Sequence, residues 1–170
     1  MAAVTPITWA LEAVANPRSL RLHVAHELTT ATIVTCPPAH AAPPFDDVIG
    51  LDAVRSIDLH RYRARFNLVP GPDRTSVAAD AAGRLAAAWG EASVLPPDEL
   101  PRAIAVDRRG ERRVAESPEM AVGDPLLEAM FRVDGVAEAI AGDGIVLIRL
   151  GRFFRWDAVG PAIAAAARAA

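Results

Sequence analysis

The sequence contains no lysine, because all 18 of its basic residues are arginine. Without lysine, the chain cannot form a Schiff base through a side chain or build a Walker-type phosphate loop. Alanine is over-represented in turn, with 36 residues. Alanine and arginine share GC-rich codons, so a GC-rich, bacterial genome is the simplest reason for both counts.

Cysteine is almost as scarce, since Cys36 is the single one. One thiol excludes an internal disulfide. It also excludes any zinc or iron–sulfur site built from cysteine alone within one chain.

Long apolar runs are absent too. No stretch approaches the roughly 18 apolar residues that a membrane helix needs, and the first residues show no basic region followed by an apolar run. We therefore expect a cytoplasmic protein that does not enter a membrane. The net charge of −3 lacks the basic footprint of most nucleic-acid-binding domains. The 170 residues, of which 52% are apolar, suit one ordinary domain or two small ones.

The two halves of the chain resemble each other at an offset of 82 residues, without a gap from about residue 20 to residue 88. The segment 51–54 (LDAV) falls on 133–136 (VDGV), Pro43 falls on Pro125, and Asp46 falls on Glu128. Proline, acidic and apolar positions thus agree outside the alanine-rich runs. This pattern predicts an internal duplication.

The first half predicts four strands, at 20–24, 29–35, 54–59 and 63–69, from alternating or β-branched residues. A short helix is predicted over 45–51 and a longer one over 75–89. Asp73 can cap the start of the longer helix, and Gly90 stands where a terminating glycine belongs.

The second half predicts strands at 102–106 and 112–115, paired across a charged turn, and two more at 136–140 and 145–150 around Gly142-Asp143-Gly144. Asp124 and Pro125 open a helix, and a closing helix spans 156–169. The predicted class is α+β. Two repeated β-β-α-β-β-α units, at 1–90 and 101–170, are expected to pack as a pseudo-symmetric pair, with a linker at 91–100.

The second half resembles a known family. Its segments 124–131 (DPLLEAMF), 133–136 (VDGV), 142–147 (GDGIVL) and 156–163 (WDAVGPAI) follow one another in the order of that family. The pattern resembles the N-terminal domain of the Nfu/NifU-type iron–sulfur scaffold proteins over about 50 residues. In the first half, 16–21 (NPRSLR) is similar to the residues that open the family's first strand.

The resemblance implies a role in protein contacts. The scaffolds of this family hold their cluster on a separate Cys-x-x-Cys domain, and this sequence contains no such motif. A [4Fe–4S] cluster normally takes four thiolates. We therefore expect a non-catalytic adaptor without a cofactor. Its partner would be an iron–sulfur carrier or an apo-target, and the resemblance supplies no catalytic residues.

A second hypothesis is a small metal-binding protein or enzyme. Cys36 and His40 stand four residues apart, and either His23 or His26 would complete a soft-metal site or a cysteine–histidine pair. Because His23 and His26 are three residues apart, a continuous strand would place them on opposite faces. A partly exposed thiol and surface histidines are the simpler interpretation.

Two further groups are candidates for binding a partner. Arg61, Arg63 and Arg65 alternate, so on a strand they would form one basic stripe for an acidic partner or, as a third hypothesis, for nucleic acid. A solvated strand face is the ordinary alternative. Aromatic side chains precede the last helix and would either close the core or anchor a partner: Phe153, Phe154 and Trp156.

Overall fold

The structure is a computed structural model that describes residues 6–31, 34–36, 45–46 and 51–170, with the main chain alone at Val34 and Cys36. The strands are β1 Trp9–Ala13, β2 Ser19–Val24, β3 Val34–Cys36, β4 Val54–His60, β5 Arg63–Leu68, β6 Arg102–Ala105, β7 Arg113–Ala115, β8 Val136–Gly142 and β9 Ile145–Leu150. The helices are α1 Arg74–Trp89, α2 Pro118–Ala121, α3 Pro125–Phe131 and α4 Trp156–Ala169. The α+β class is confirmed. None of the described helices is both long enough and apolar enough to cross a bilayer.

The chain divides into two compact units that alternate along the sequence. Unit 1 is Met1–His26, Ile33–Leu59 and Arg63–Leu95, and unit 2 is Glu27–Thr32, His60–Tyr62 and Pro96–Ala170. Two short segments from the first half of the chain therefore belong to unit 2. The proline-containing segment 91–100 is divided after Leu95.

Unit 1 contains an antiparallel sheet in the order β1-β2-β5-β4-β3. Helix α1 begins at Asp73, whose carboxylate accepts from the Ser76 N–H at 2.9 Å. That hydrogen bond holds the pKa of Asp73 below its usual range. The helix ends at Gly90, whose φ of 87° is the left-handed region that glycine favours. Both predicted ends of this helix are confirmed.

The core of unit 1 lies on one face of this sheet. Val77, Ala81, Leu85 and Trp89 form the buried face of α1, with the spacing that the sequence predicted. Strand β1 was not predicted. Its Trp9 is fully buried, and the indole N–H donates to the Gly90 carbonyl at 2.9 Å.

Two elements of the first half differ from expectation. Of the strand predicted over 29–35, residues 34 and 35 lie in β3, and 32–33 lie outside the described residues. Residues 29–31 are irregular, and the Thr29 hydroxyl accepts from the Ala31 N–H at 3.1 Å. Such local side-chain bonds compete with a ladder. Of the helix predicted over 45–51, Phe45 and Asp46 are helical, and 47–50 lie outside the described residues.

Unit 2 contains an antiparallel sheet in the order β6-β9-β8-β7. The expected pairing of the strands at 102–106 and 112–115 is wrong, since β6 and β7 occupy opposite edges of the sheet. The β8–β9 hairpin is confirmed, and Gly144 has the positive φ of 71° that its tight turn requires.

The helices of unit 2 pack on one face of this sheet. Asp124 caps α3 by accepting from the Leu127 N–H at 3.2 Å, with Pro125 in the first turn as predicted. At α4, Arg155 provides no side-chain cap, and the Glu99 carboxylate accepts from the Trp156 N–H at 2.8 Å instead. The resulting core contains fully buried Leu127, Met130 and Ile163.

Candidate functional site

The structure does not bring Cys36 and His23 of the predicted cysteine–histidine site together. Cys36 ends β3 and His23 lies on β2, and these strands are separated by β4 and β5. Three strand spacings of about 4.8 Å place the two strands roughly 14 Å apart. His40 lies outside the described residues. Within the described part of the chain, no group of three or more His, Cys, Asp or Glu residues could hold a metal ion.

The two histidines have different surroundings in unit 1. His23 is 4% exposed, and its Nε2 lies 2.8 Å from the Glu12 carboxylate on β1. His26 follows β2, and its ring meets the Trp89 ring edge-on with 5.5 Å between the centroids. Among the described residues, the buried Nδ1 of His26 has no hydrogen-bond partner. A neutral imidazole fits this apolar contact better than a charged one.

The position of His26 predicts a pH dependence of unit 1. Burial lowers the pKa of His26 below its ordinary value of 6.5. The unfolded chain therefore protonates His26 near pH 6.5, whereas the folded chain protonates it only at a lower pH. Stability from neutral His26 is present above pH 6.5 and is lost as the pH falls toward the folded pKa. We expect the urea midpoint to fall more between pH 7.5 and pH 5.5 in the wild type than in His26→Gln. The same fall in both proteins would contradict this role.

Arg61 lies in the turn between β4 and β5 and is buried in unit 2, with 4% of its surface exposed. The prediction that it shares an exposed stripe with Arg63 and Arg65 is therefore wrong. Its Nε donates to the Glu27 carboxylate at 2.6 Å, and its two terminal nitrogens donate to the carbonyls of Val136 and Phe131 at 2.8 and 2.9 Å. The guanidinium satisfies buried main-chain acceptors, as its planar fork allows.

Tyr62 stands beside Arg61 in the same turn. Its hydroxyl accepts from the Gly135 N–H at 2.9 Å, and its ring lies 5.0 Å below the Arg61 guanidinium carbon. Burial raises the pKa of the Tyr62 phenol above its ordinary value of 10.0. The neutral hydroxyl thus remains a hydrogen-bonding group in the interior of unit 2.

The remaining arginines of the stripe lie on β5 in unit 1. Arg65 is exposed and Arg63 is half-buried, while Ala64 and Phe66 face the core, as the sequence predicted. Arg65 lies directly opposite Arg21 on β2, and Arg21 is paired with Glu12 at 3.7 Å. Nearby, Asn67 donates to the Asp58 carboxylate at 3.0 Å. Carboxylates thus interrupt the positive charge of this surface, and its role in binding stays a prediction.

The aromatic residues around the start of α4 belong mainly to the interior of unit 2. Trp156 is 5% exposed, and its indole N–H donates to the Leu100 carbonyl at 3.2 Å. The Phe154 ring packs on the Tyr62 ring with 4.7 Å between the centroids, and Phe153 is half-buried. These contacts favour the core interpretation of Phe154 and Trp156 over a role as exposed anchors.

A cleft of about 600 Å³ in unit 2 lies beside the start of α3 and the end of α4. At the edge of this cleft, one terminal nitrogen of Arg108 donates to the Asp124 carboxylate at 2.8 Å. Asp124 also caps α3, so the ion pair attaches the loop after β6 to that helix. Because the carboxylate neutralises Arg108, we interpret this ion pair as structural.

Sequence reasoning missed an apolar surface on the sheet of unit 2. Strand β9 begins Ile145-Val146-Leu147-Ile148, in which Val146 and Ile148 are fully buried beneath the helices, while Ile145 and Leu147 are 43% and 36% exposed. An antiparallel strand with one solvated face normally alternates apolar and polar residues. The run of four apolar residues was the signal that this strand has two apolar faces.

We call the exposed apolar surface the outer face. The strand register places Leu147 between Ala103 on β6 and Ile140 on β8, and Ile140 is followed by Val114 on β7. Ile145 lies opposite Ala105 in the next row. Ile140 and Val114 are half-buried, and the other four are exposed. The outer face consists of Ala103, Ala105, Val114, Ile140, Ile145 and Leu147.

Comparisons with known proteins add no relative to this description. No protein-family model matches the chain, and neither a curated protein nor a solved structure matches it significantly.

Proposed function

We propose that the protein is a non-catalytic adaptor in iron–sulfur cluster assembly, acting through protein contacts without carrying a cluster. The outer face is the observation that supports this role. It presents apolar side chains on four neighbouring strands, branched on β7, β8 and β9 and alanine on β6. A partner that covers Ile145 and Leu147 would gain about 1 kcal/mol per side chain, because only about two-fifths of each remains to be buried.

The proposed partner is an iron–sulfur carrier or an apo-target, and the proposed location is the cytoplasm. Both rest on the resemblance of 124–163 to the Nfu/NifU N-terminal domain. The cysteine count supports the proposal that the adaptor carries no cluster itself. One thiol per chain falls short of the four that a [4Fe–4S] cluster normally takes.

We further propose that the two halves are copies of one β-β-α-β-β-α unit that pack as a pseudo-symmetric pair. The 82-residue offset relates β4 Val54–His60 to β8 Val136–Gly142 and β5 Arg63–Leu68 to β9 Ile145–Leu150 without a shift. The sheet orders support the same relation, since β2-β5-β4-β3 corresponds to β6-β9-β8-β7. The halves differ at one place: the segment 9–13 forms a strand, whereas 91–95, which corresponds to it at the same offset, does not.

The role of the outer face predicts the effect of Leu147→Asp. The side chain is already 36% exposed, so we expect the variant to fold, while a partner would have to bury its carboxylate. Immobilised wild-type protein should recover iron–sulfur assembly proteins from an extract of its native host. Quantitative mass spectrometry should show recovery about tenfold lower with Leu147→Asp, as expected for an anchor residue.

Val122→Asp is the matched control, because Val122 is a 66% exposed apolar residue of unit 2 that lies outside the outer face. It should leave recovery unchanged. Equal recovery by Leu147→Asp and the wild type would contradict the outer face as the contact surface. Recovery of nothing related to iron–sulfur assembly would contradict the pathway itself.

A further inference from the structure

The turn between β4 and β5 docks into the interior of unit 2 through main-chain groups. The Arg61 side chain donates to two carbonyls of the segment 131–136, and the Tyr62 hydroxyl accepts from the Gly135 N–H of the same segment. We call 131–136 the docking segment of unit 2. Its main-chain donor and acceptors bind an arginine followed by an aromatic residue.

Unit 1 contains the equivalent of this segment at residues 49–54, by the offset of 82 residues, and 51–54 are described. Two main-chain hydrogen bonds around the docking segment recur there. They run from the N–H of Val136 to the carbonyl of Val133 and from Val54 to Leu51 at 3.4 and 2.9 Å, and from Gly151 to Gly135 and from Val69 to Ala53, both at 2.9 Å. The two segments thus share these main-chain contacts.

A cleft of about 380 Å³ lies at this place in unit 1. One lining residue is Ala53, which corresponds to Gly135. Another is Pro72, which corresponds to Phe154, the residue whose ring packs on Tyr62 in unit 2. Within the described part of the chain, the Ala53 N–H has no acceptor, whereas its counterpart donates to a phenol. The cleft therefore offers a main-chain donor that unit 2 uses to hold a docked turn.

Acidic side chains give this cleft an excess of negative charge. Among the described residues, its charged side chains are Asp52, Asp73, Asp80 and Arg84. Asp73 and Asp80 correspond to Arg155 and Ala162, so the same positions of unit 2 lack this excess. Hydrogen bonds from Ser76 hold the pKa of Asp73 below its usual range, which keeps that carboxylate ionised at neutral pH. A guanidinium matches both carboxylates and main-chain acceptors.

We propose that the cleft of unit 1 binds an arginine-bearing β-turn of another protein, as the docking segment of unit 2 binds Arg61. The arginine donates to the Val54 carbonyl, the counterpart of one acceptor of Arg61, and pairs with the carboxylates of the cleft. The other two-residue turn between strands of this chain, Asp143-Gly144, contains no arginine, so a second copy does not supply the ligand through it. The inference rests on the proposed duplication and is independent of the outer face.

The residue that follows the arginine is expected to be glycine. In unit 2, a Cβ on Gly151 would lie 3.0 Å from the Tyr62 Cβ. Unit 1 has Val69 at this position, so a tyrosine cannot lie at the same depth. Glycine allows close approach of the main chain, and a turn carbonyl then replaces the phenol as the acceptor of the Ala53 N–H. The expected ligand is therefore an Arg-Gly turn.

A cyclic peptide tests the proposal on the full-length protein. It carries residues 56–67 with Tyr62→Gly and is closed by a second turn. We expect a Kd of roughly 0.1–1 mM, with the largest amide shift in two-dimensional NMR at Ala53. Arg61→Met in the peptide should weaken binding by about tenfold, because the charge-assisted hydrogen bonds are lost. Arg65→Met gives a peptide of the same net charge and should bind nearly as well as the original.

Variants of the protein locate the bound peptide. Asp52→Asn/Asp80→Asn should weaken binding by about fivefold, since two ion pairs at an exposed site are lost. Glu91→Gln/Asp143→Asn is the matched control, because it neutralises two exposed acids outside the cleft and should leave binding unchanged. Leu147→Asp, on the outer face, should also bind as the wild type does. No saturable binding at about 1 mM, or equal weakening by the two double variants, would overturn the proposal.

Val69→Gly separates a failure of the cleft from a failure of the duplication. Val69 is half-buried, so we expect the variant to fold. If the halves are copies, the peptide that keeps Tyr62 should bind Val69→Gly about tenfold more tightly than it binds the wild type. No such gain would contradict the equivalence of the two segments and the proposal with it. Absence of Arg-Gly binding despite that gain would overturn the proposal and leave the duplication standing.

Discussion

Replacing Arg61 by methionine should destabilise unit 2 by about 3 kcal/mol. Methionine fills similar space but leaves the carbonyls of Phe131 and Val136 without the donors that Arg61 supplies at 2.9 and 2.8 Å. Each buried group left unsatisfied costs about 1–3 kcal/mol. Glu27 adds little, because its side chain is 35% exposed and regains water. Arg61→Lys should recover part of this loss, since lysine keeps the charge but not the planar fork.

Hydrogen exchange followed by mass spectrometry suits this test, because two units need not unfold in one transition. We expect protection of peptides within 131–150 to fall roughly a hundredfold, and that of α1 to change much less. Arg65→Met is the matched control and removes an exposed arginine from β5. Unchanged protection of 131–150 in Arg61→Met would show that the buried guanidinium does not support the fold.

Gly135→Ala should have an effect of similar size for a different reason. Gly135 has a φ of 95°, and a Cβ there would lie 2.5 Å from Cδ1 of Phe154. The main chain cannot readily move away, because its N–H donates to the Tyr62 hydroxyl. Left-handed strain costs about 1–2 kcal/mol and overpacking about 1–3 kcal/mol, so we expect a loss of about 3 kcal/mol in the free energy of unfolding.

Gly123→Ala separates the two contributions. Gly123 has a φ of 84° with no atom within 4 Å of an added Cβ, so this variant should show the backbone strain alone. Denaturant unfolding of both variants gives the comparison. In a double-mutant cycle, Phe154→Ala should remove the overpacking part of the Gly135→Ala cost. Equal losses for the two glycine variants, or additive effects in the cycle, would contradict a clash with Phe154.

The elements that the sequence predicted well are those fixed by local chemistry. Asp73 and Gly90 bound α1, Asp124 and Pro125 open α3, and Gly144 makes the β8–β9 turn. These signals act over a few residues. By contrast, β6 lies beside β9 rather than β7, a choice among distant strands that no turn residue specifies. Strand β1 was missed because its five residues lie far in the sequence from the helix end that holds Trp9.

For the candidate sites, too, local features were predicted correctly and those that depend on distant contacts were not. The alternation of 63–68 correctly predicted which residues face the core. It could not show that Arg61 lies in the turn before the strand, where its guanidinium donates to main-chain carbonyls 70 and 75 residues away. The proximity of Cys36 to His23 depended on the order of the strands, which the sequence left open. The outer face could have been predicted from the run 145–148, because its residues do not alternate between apolar and polar.

The turn that contains Arg61 and Tyr62 has a consequence for how the protein is made. Its donors and acceptors lie 70 to 75 positions further along the chain, at Phe131, Gly135 and Val136. During synthesis, Arg61 leaves the ribosome long before Phe131 and Val136, whose carbonyls accept its hydrogen bonds, have been added to the chain. Closing such long loops is slow. A fragment that starts at Pro96 lacks the turn altogether, so expressing the second half of the chain alone would not give unit 2 with its interior intact.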